Sequence, residues 1–172
     1  PLAMNRQDLI GQAKTGTGKT LAFGIPILER IAAEPDTTAQ RKPRGLVVCP
    51  TRELAIQVAA DLDHAGRHLG VVVTTVYGGR SYEPQIEALR SGVDVVVGTP
   101  GRILALANQR HLALDGVQVL VLDEADEMLD MGFLPDVERI VAQLPVRRQT
   151  LLFSATMPAQ IAGLARRYLT SP

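Results

Sequence analysis

A chain of 172 residues, 46% of them apolar and 21% charged, fits one soluble globular domain able to bury roughly 70% of the surface its unfolded form exposes. Lys and Arg total 18, as do Asp and Glu, so bulk charge points to no partner and any nucleic-acid contact must come from locally placed Arg, Lys and backbone N–H groups. Aromatic residues make up 3% with no tryptophan, which argues against a broad base-stacking surface, and a single cysteine, Cys49, excludes an internal disulfide and a structural zinc cage.

The run DLIGQA (8–13) predicts a first strand. It leads into A-K-T-G-T-G-K-T (13–20), with a helix opening near Lys19. The segment 34–45, polar and with two prolines, reads as a surface loop. Further strands are predicted at 45–50 (GLVVCP), 71–77 (VVVTTVY), 94–99 (DVVVGT), 117–123 (VQVLVLD) and 150–155 (TLLFSA), with helical spacing between them. Most of these runs are continuously apolar and rich in Val or Leu, as suits strands covered on both faces of a parallel sheet. Within 133–144, Phe133, Val137, Ile140, Val141 and Leu144 build one apolar helix stripe. Residues 165–172 read as the end of a last helix running into a linker. Cys49 reads as a small apolar residue of a buried strand. The alternation predicts one α/β domain over 1–172, with a mainly parallel central sheet and helices on both faces. No apolar run reaches membrane-spanning length and no signal-peptide pattern opens the chain, so a cytoplasmic location without membrane contact is expected. A start at Pro1, without an initiator methionine, suggests a fragment, and a monomer is expected for it.

The polar and glycine-rich clusters fall where the predicted strands end. They are Ala13–Thr20, Pro50-Thr51-Arg52-Glu53, Gly78-Gly79, Thr99-Pro100-Gly101-Arg102, Asp123-Glu124-Ala125-Asp126 and Ser154-Ala155-Thr156. Ligands of open α/β sheets bind outside the carboxyl ends of the strands, so one rim is expected to gather all six.

The first cluster matches the phosphate-loop pattern G-x-x-x-x-G-K-[ST] except at its opening, where Ala13 stands for glycine. An L-residue fits there if its φ stays negative, while Gly16 and Gly18 supply the tight part of the turn. Ala13, Lys14, Thr15, Gly16, Thr17, Gly18, Lys19 and Thr20 are the candidate nucleotide-binding residues. Lys19 supplies charge for the β- and γ-phosphates, and the Thr20 hydroxyl can ligate Mg²⁺. The second half of the site is VLVLDEAD (119–126). A carboxylate closing a buried apolar strand is costly unless it meets a cation, which makes Asp123 a candidate Mg²⁺ ligand. Glu124 can orient or deprotonate the attacking water. A solvated acidic helix start accounts for Glu127 and Asp130 but poorly for Asp123. Together the two clusters predict a P-loop NTPase that uses a nucleoside triphosphate with Mg²⁺.

The ordered set AKTGTGKT, PTRELAIQ (50–57), GG (78–79), TPGR (99–102), DEAD (123–126), DMGF (130–133) and SAT (154–156) resembles the DEAD-box ATP-dependent RNA helicases of bacterial type over nearly the whole chain. The resemblance implies the first of that family's two RecA-like lobes, with ATP as the nucleotide. Alanine is typical of the family at the place of Ala13. It also implies RNA-backbone contacts at Pro50, Thr51, Arg52, Gly78, Gly79, Thr99, Pro100, Gly101 and Arg102, with little sequence specificity. Asp126, Ser154 and Thr156 are implied to couple hydrolysis to strand separation, through hydroxyl contacts to Asp126. Taken alone, Gly78-Gly79 reads as a simple turn, Pro100-Gly101 as a helix start, and Ser154 or Thr156 as a cap for the helix after Met157. His64 and His68, at i and i+4, read as an exposed helix face rather than a zinc pair.

The family's adenine-reading glutamine and its second RecA-like lobe have no counterpart here, and Gln7 and Gln12 do not replace that glutamine. The expected partners are therefore RNA and the parent's second lobe, with little activity from the isolated domain. The competing readings are a DNA-acting superfamily 2 helicase lobe, disfavoured by the D-E-A-D tetrad, and a non-hydrolysing RNA-binding scaffold, disfavoured by the intact Lys19, Thr20, Asp123 and Glu124.

Overall fold

The computed structural model describes residues 2–14, 18–38 and 40–172. Each predicted apolar run forms a strand: β1 (Leu9–Gln12), β2 (Gly45–Val48), β3 (Val73–Val76), β4 (Val95–Gly98), β5 (Val119–Leu122) and β6 (Gln149–Ser154). They pair in the order β1-β6-β5-β2-β4-β3, parallel throughout. The four inner strands are buried along their whole length, which is why their sequences lack a polar face. The edge strands β1 and β3 are only partly covered and carry Gly, Gln and Thr.

Alternate side chains of the inner strands feed two cores. Val47, Val95, Val97, Val119, Val121 and Leu151 pack with helices α1 (Lys19–Ala33) and α2 (Arg52–Gly66) through Phe23, Ile27, Val58 and Leu62. Leu46, Val48, Val96, Leu120, Leu122 and Leu152 face the other way. There they meet α3 (Tyr82–Arg90), α4 (Pro100–Asn108), α5 (Ala125–Asp130), α6 (Leu134–Val141) and α7 (Ala159–Tyr168). The predicted stripe of α6 is buried at Val137, Ile140 and Val141, and Leu144 stays in the core after the helix has ended. Gly132, at φ +77°, makes the reversal between α5 and α6, which gives the DMGF segment a structural role.

The loop and the last helix lie where the sequence places them. Among its described residues the 34–45 segment has no helix or strand before Gly45, and it is tied down at its end. Asp94, only 2% exposed, sits 3.2 Å from Arg41 Nη1 and 3.5 Å from Arg44 Nη2, and accepts the Val72 N–H at 2.8 Å. The last helix closes at Tyr168, and 169–172 follow without regular structure. No helix of the described residues is long and apolar enough to cross a membrane.

Gly98 ends β4, and a Cβ there would run into the Val76 carbonyl oxygen and its side chain. Replacing Gly98 by alanine is therefore expected to lower stability by about 1–3 kcal/mol, the usual range for overpacking, as read by urea unfolding. An unchanged midpoint would show that β3 and β4 can separate freely at this point.

Candidate functional site

Parallel pairing places every strand exit on one edge, and the first residue of several clusters still belongs to the ladder. The Ala13 N–H bonds Ser154 O, Asp123 N–H bonds Val48 O, Cys49 N–H bonds Gly98 O and Thr99 N–H bonds Val76 O. The six clusters thus form one continuous rim. Strand order divides it: the phosphate-loop, DEAD and SAT clusters follow β1, β5 and β6, whereas the PTRE, GG and TPGR clusters follow β2, β3 and β4.

The candidate loop residues Thr15, Gly16 and Thr17 lie outside the described residues. Ala13 is not among the described residues with positive φ, so it meets the steric condition for replacing glycine. Gly18 is, at φ +75°, and it supplies the turn into α1. Lys19 follows directly and is 8% exposed. Its Nζ lies 3.0 Å from Asp123 Oδ1 and 3.7 Å from Glu124 Oε1. Asp123 is 1% exposed, and among the described residues neither of its oxygens has a hydrogen-bond partner of good geometry. Burial pushes the Asp123 carboxyl above the ordinary carboxylate range; the Lys19 ammonium opposes that and the Glu124 charge adds to it. Glu124 sits at φ 53°, ψ 54°, a left-handed conformation that a non-glycine residue adopts at a cost of roughly 1–2 kcal/mol. The turn brings its carboxylate to the same ammonium. Cys49 is buried as predicted, and burial with Asp123 and Glu124 nearby pushes its thiol well up.

A cleft of about 470 Å³ opens beside these groups, lined by Gly18, Lys19, Thr20, Asp123 and Glu124 and by Leu54, Gln57, Asp61 and His64 of α2. The α2 wall was not legible in the sequence: Leu54 and Gln57 belong to the PTRELAIQ segment but were given no role there, and Asp61 and His64 follow at helical spacing outside any motif. His64 is an exposed residue on that wall, while His68 lies beyond the helix end in a 3₁₀ turn, so the two histidines do not share one helix.

The SAT cluster is clasped to α5. The Thr156 hydroxyl and N–H donate to Asp126 Oδ2 at 3.0 and 3.1 Å. The Ser154 hydroxyl accepts the Asp126 backbone N–H at 3.1 Å and donates to Thr156 O at 2.6 Å. The expected hydroxyl link to the Asp126 carboxylate therefore comes from Thr156, and Ser154 acts on the backbone. Burial alone would raise the Asp126 carboxyl, but these bonds, led by the Thr156 hydroxyl, hold it below the usual range. Neither residue caps the following helix: α7 begins after Pro158 with no side-chain cap.

On the other half of the rim, Pro50 is buried and Thr51 caps α2, its hydroxyl accepting the Leu54 N–H at 3.2 Å. Arg52 is half exposed over the Tyr77 ring, with its Nη1 beside Gly79. Gly78, Gly79 and Gly101 are exposed, and a Cβ at Gly78 or Gly101 would touch nothing. Thr99 precedes α4 with extended backbone, and Pro100 is its first residue. Arg102 differs from the expectation of a phosphate-facing guanidinium. It is 9% exposed, donates to Arg80 O and to Gln85 Oε1 at 3.0 Å, and stacks on the Tyr82 ring at 3.8 Å. Gln85 in turn donates to Tyr77 O at 3.1 Å. Sequence reasoning missed Gln85, Tyr82 and the Arg80 carbonyl, because a buried bridge between two motifs leaves no local pattern.

The sequence pattern described as DEAD/DEAH box helicase matches residues 1–164. The chain belongs to the DEAD/DEAH box helicase family. It is 53% identical over 172 residues to the DEAD-box ATP-dependent RNA helicase CshA of Streptococcus pneumoniae, covering all of this chain and 32% of that relative. It is 56% identical to the chloroplastic DEAD-box ATP-dependent RNA helicase 3B of Zea mays, over 99% of this chain and 23% of the relative. The chain thus spans a third or less of the length of these curated relatives. Among solved structures, a DEAD box protein of the hyperthermophile Methanococcus jannaschii matches with a TM-score of 0.90 and 42% identity, over 99% of this chain and 46% of the other. The yeast DEAD-box splicing factor Prp28 matches with 0.92 and 35% identity, over 96% and 40%. The fold is accordingly the RecA-like domain of DEAD-box proteins.

The Asp123 carboxyl carries a pH signature. Its folded-state value is raised above the ordinary 3.8, so its contribution to stability is full below the unfolded value and is lost as pH rises through the folded one. Measured by urea unfolding from about pH 4 to about pH 7, the chain is expected to lose stability relative to its Asp123→Asn variant. Parallel curves would mean that Asp123 does not titrate in this range.

Proposed function

We propose that this chain is the first RecA-like lobe of an ATP-dependent RNA helicase. In the parent protein it would bind ATP with Mg²⁺ and an RNA backbone, and hydrolyse ATP to separate short duplexes. The observation that carries the reading is the approach of Lys19, at the start of α1, to Asp123 and Glu124, at the exit of β5, around a cleft of nucleotide-accepting size.

The donor set fits the ligands. The Gly18 turn and the N-terminal end of α1 favour a phosphate, and Lys19 adds a point charge. Asp123 presents two buried carboxylate oxygens whose nearest cation among the described residues is the Lys19 ammonium, the surroundings expected of a group that pairs with a cation. Mg²⁺ is held by one or two carboxylates together with substrate phosphates, so Asp123 and the Thr20 hydroxyl are its candidate ligands. When bound, it neutralises charge on the transferring phosphoryl group. Lys19 would exchange its contact with Asp123 for the phosphates. Glu124 would orient the attacking water and accept its proton as the water oxygen bonds to phosphorus and the bond to the ADP oxygen breaks.

For RNA, the exposed Gly78, Gly79 and Gly101 leave room for a sugar-phosphate backbone to approach N–H groups. Arg52 is an accessible guanidinium on this half of the rim, with Pro50, Thr51, Thr99 and Pro100 setting the local backbone. Arg102 is assigned a positioning role instead: through Arg80 O, Gln85 and Tyr82 it holds the GG turn against the start of α4. Asp126, Ser154 and Thr156 would transmit changes at the phosphates to the SAT loop.

In the full-length protein, Glu124→Gln is expected to keep ATP affinity within a small factor and to lower RNA-stimulated turnover by roughly 10²–10⁴, the usual contribution of a positioned base. Calorimetry and a phosphate-release assay, with DNA as a competitor for stimulation, would check this. Undiminished turnover would remove Glu124 from the chemistry, and equal stimulation by DNA would remove the RNA assignment.

A further inference from the structure

A second charged cavity, of about 380 Å³, lies on the edge where the strands begin, opposite the rim. Four guanidinium groups line it: Arg6 from the turn before β1, Arg30 from the last turn of α1, and Arg147 and Arg148 from the loop entering β6. Among the described lining residues one carboxylate answers them, Glu34, 3.6 Å from Arg6. Arg30 donates to Gln118 O at 3.3 Å and Arg148 to Pro145 O at 2.8 Å, both neutral acceptors. Arg147 is exposed and makes no hydrogen bond or ion pair to another described residue. Asp8 is close enough to favour the Arg148 charge, but its two oxygens already accept the N–H groups of Thr150 and Thr170.

Several observations set this cluster apart from a solvated basic face. The Arg148 Nε is buried and has no hydrogen-bond partner. Burial, and then the repulsion of Arg6, lowers the affinity of Arg30 for its proton. Arg6 holds its own backbone at φ 61°, in the left-handed region where glycine would be unstrained and an arginine is not. A basic residue in the last turn of a helix complements the helix dipole, but that accounts for Arg30 alone.

We propose that this cavity binds a phosphate oxyanion, supplied either by the backbone of an RNA strand or by a free phosphate. Planar guanidinium forks match phosphate oxygens in pairs, and the cavity has no aromatic lining residue on which a base could stack, so the group recognised is the phosphate. The inference does not depend on the reading of the nucleotide cleft.

The test introduces Arg6→Gln with Arg147→Gln both into the unaltered chain and into its Lys19→Ala variant, so that the effect assigned to the two arginines does not rest on what Lys19 binds. Both arginines are exposed, and a thermal melt of each single and the double variant verifies folding. Pyrophosphate affinity by calorimetry is expected to fall roughly tenfold in the double variant. With a polyuridine 12-mer, the slope of log affinity against log salt is expected to drop by about 0.7 per arginine removed if the strand backbone is the source. Loss of pyrophosphate binding with an unchanged RNA slope assigns the site to free phosphate, and a changed slope assigns it to RNA. If neither pyrophosphate affinity nor the RNA slope responds in folded variants, the proposal is overturned.

Discussion

A parallel ladder has no freedom about where its strands end. Once β1, β6, β5, β2, β4 and β3 run side by side in one direction, every carboxyl terminus must leave from the same edge. Short polar segments that are far apart in the chain then become neighbours without any contact having been selected between them. The ladder hydrogen bonds that continue past the strands, from Ala13 to Ser154 and from Asp123 to Val48, carry this constraint into the functional residues themselves. The burial of the inner strands makes the arrangement rigid, because slipping one strand by a residue would turn its apolar side chains to the wrong face.

Against that rigid frame the charged centre is poorly satisfied. Asp123 is among the least exposed polar groups of the molecule, and its counterion is a lysine that offers proximity without good hydrogen-bond geometry. A pair optimised for stability would fill the remaining lone pairs with donors. Here they lack well-formed donors among the described residues, and the neighbouring Glu124 carboxylate adds like charge that its backbone N–H only partly offsets. A few residues away the same frame is well satisfied: Thr156 donates its N–H and hydroxyl to the Asp126 carboxylate, and the Ser154 hydroxyl accepts the Asp126 backbone N–H. The contrast separates a buried carboxylate held by one ammonium from a carboxylate already locked in place.

Much of this was readable beforehand. Strand positions followed from unbroken apolar runs, the two-sided burial from their composition, and the rim from the position of each polar cluster after a run. The meeting of Lys19 with Asp123 followed from topology. Features made by long-range side-chain bridges were not readable. Arg102 looked like a surface cation because its motif ends on it, yet Gln85 and Tyr82, 17 and 20 residues earlier in the sequence, draw it inward. Asp94 looked like the first residue of a strand, and nothing local showed that Arg41 and Arg44 would close on it. Element ends also moved by one to three residues, since a helix or strand ends where hydrogen bonding stops rather than where apolar spacing does.

The left-handed turn at Glu124 has a consequence for how such a chain can change. Glycine at that position would relax the backbone and also take one negative charge away from a crowded, buried neighbourhood. A selection for thermal robustness alone would therefore drift toward glycine at the second letter of the tetrad. The tetrad's second letter is thus a place where an acid costs the fold stability that a glycine would not.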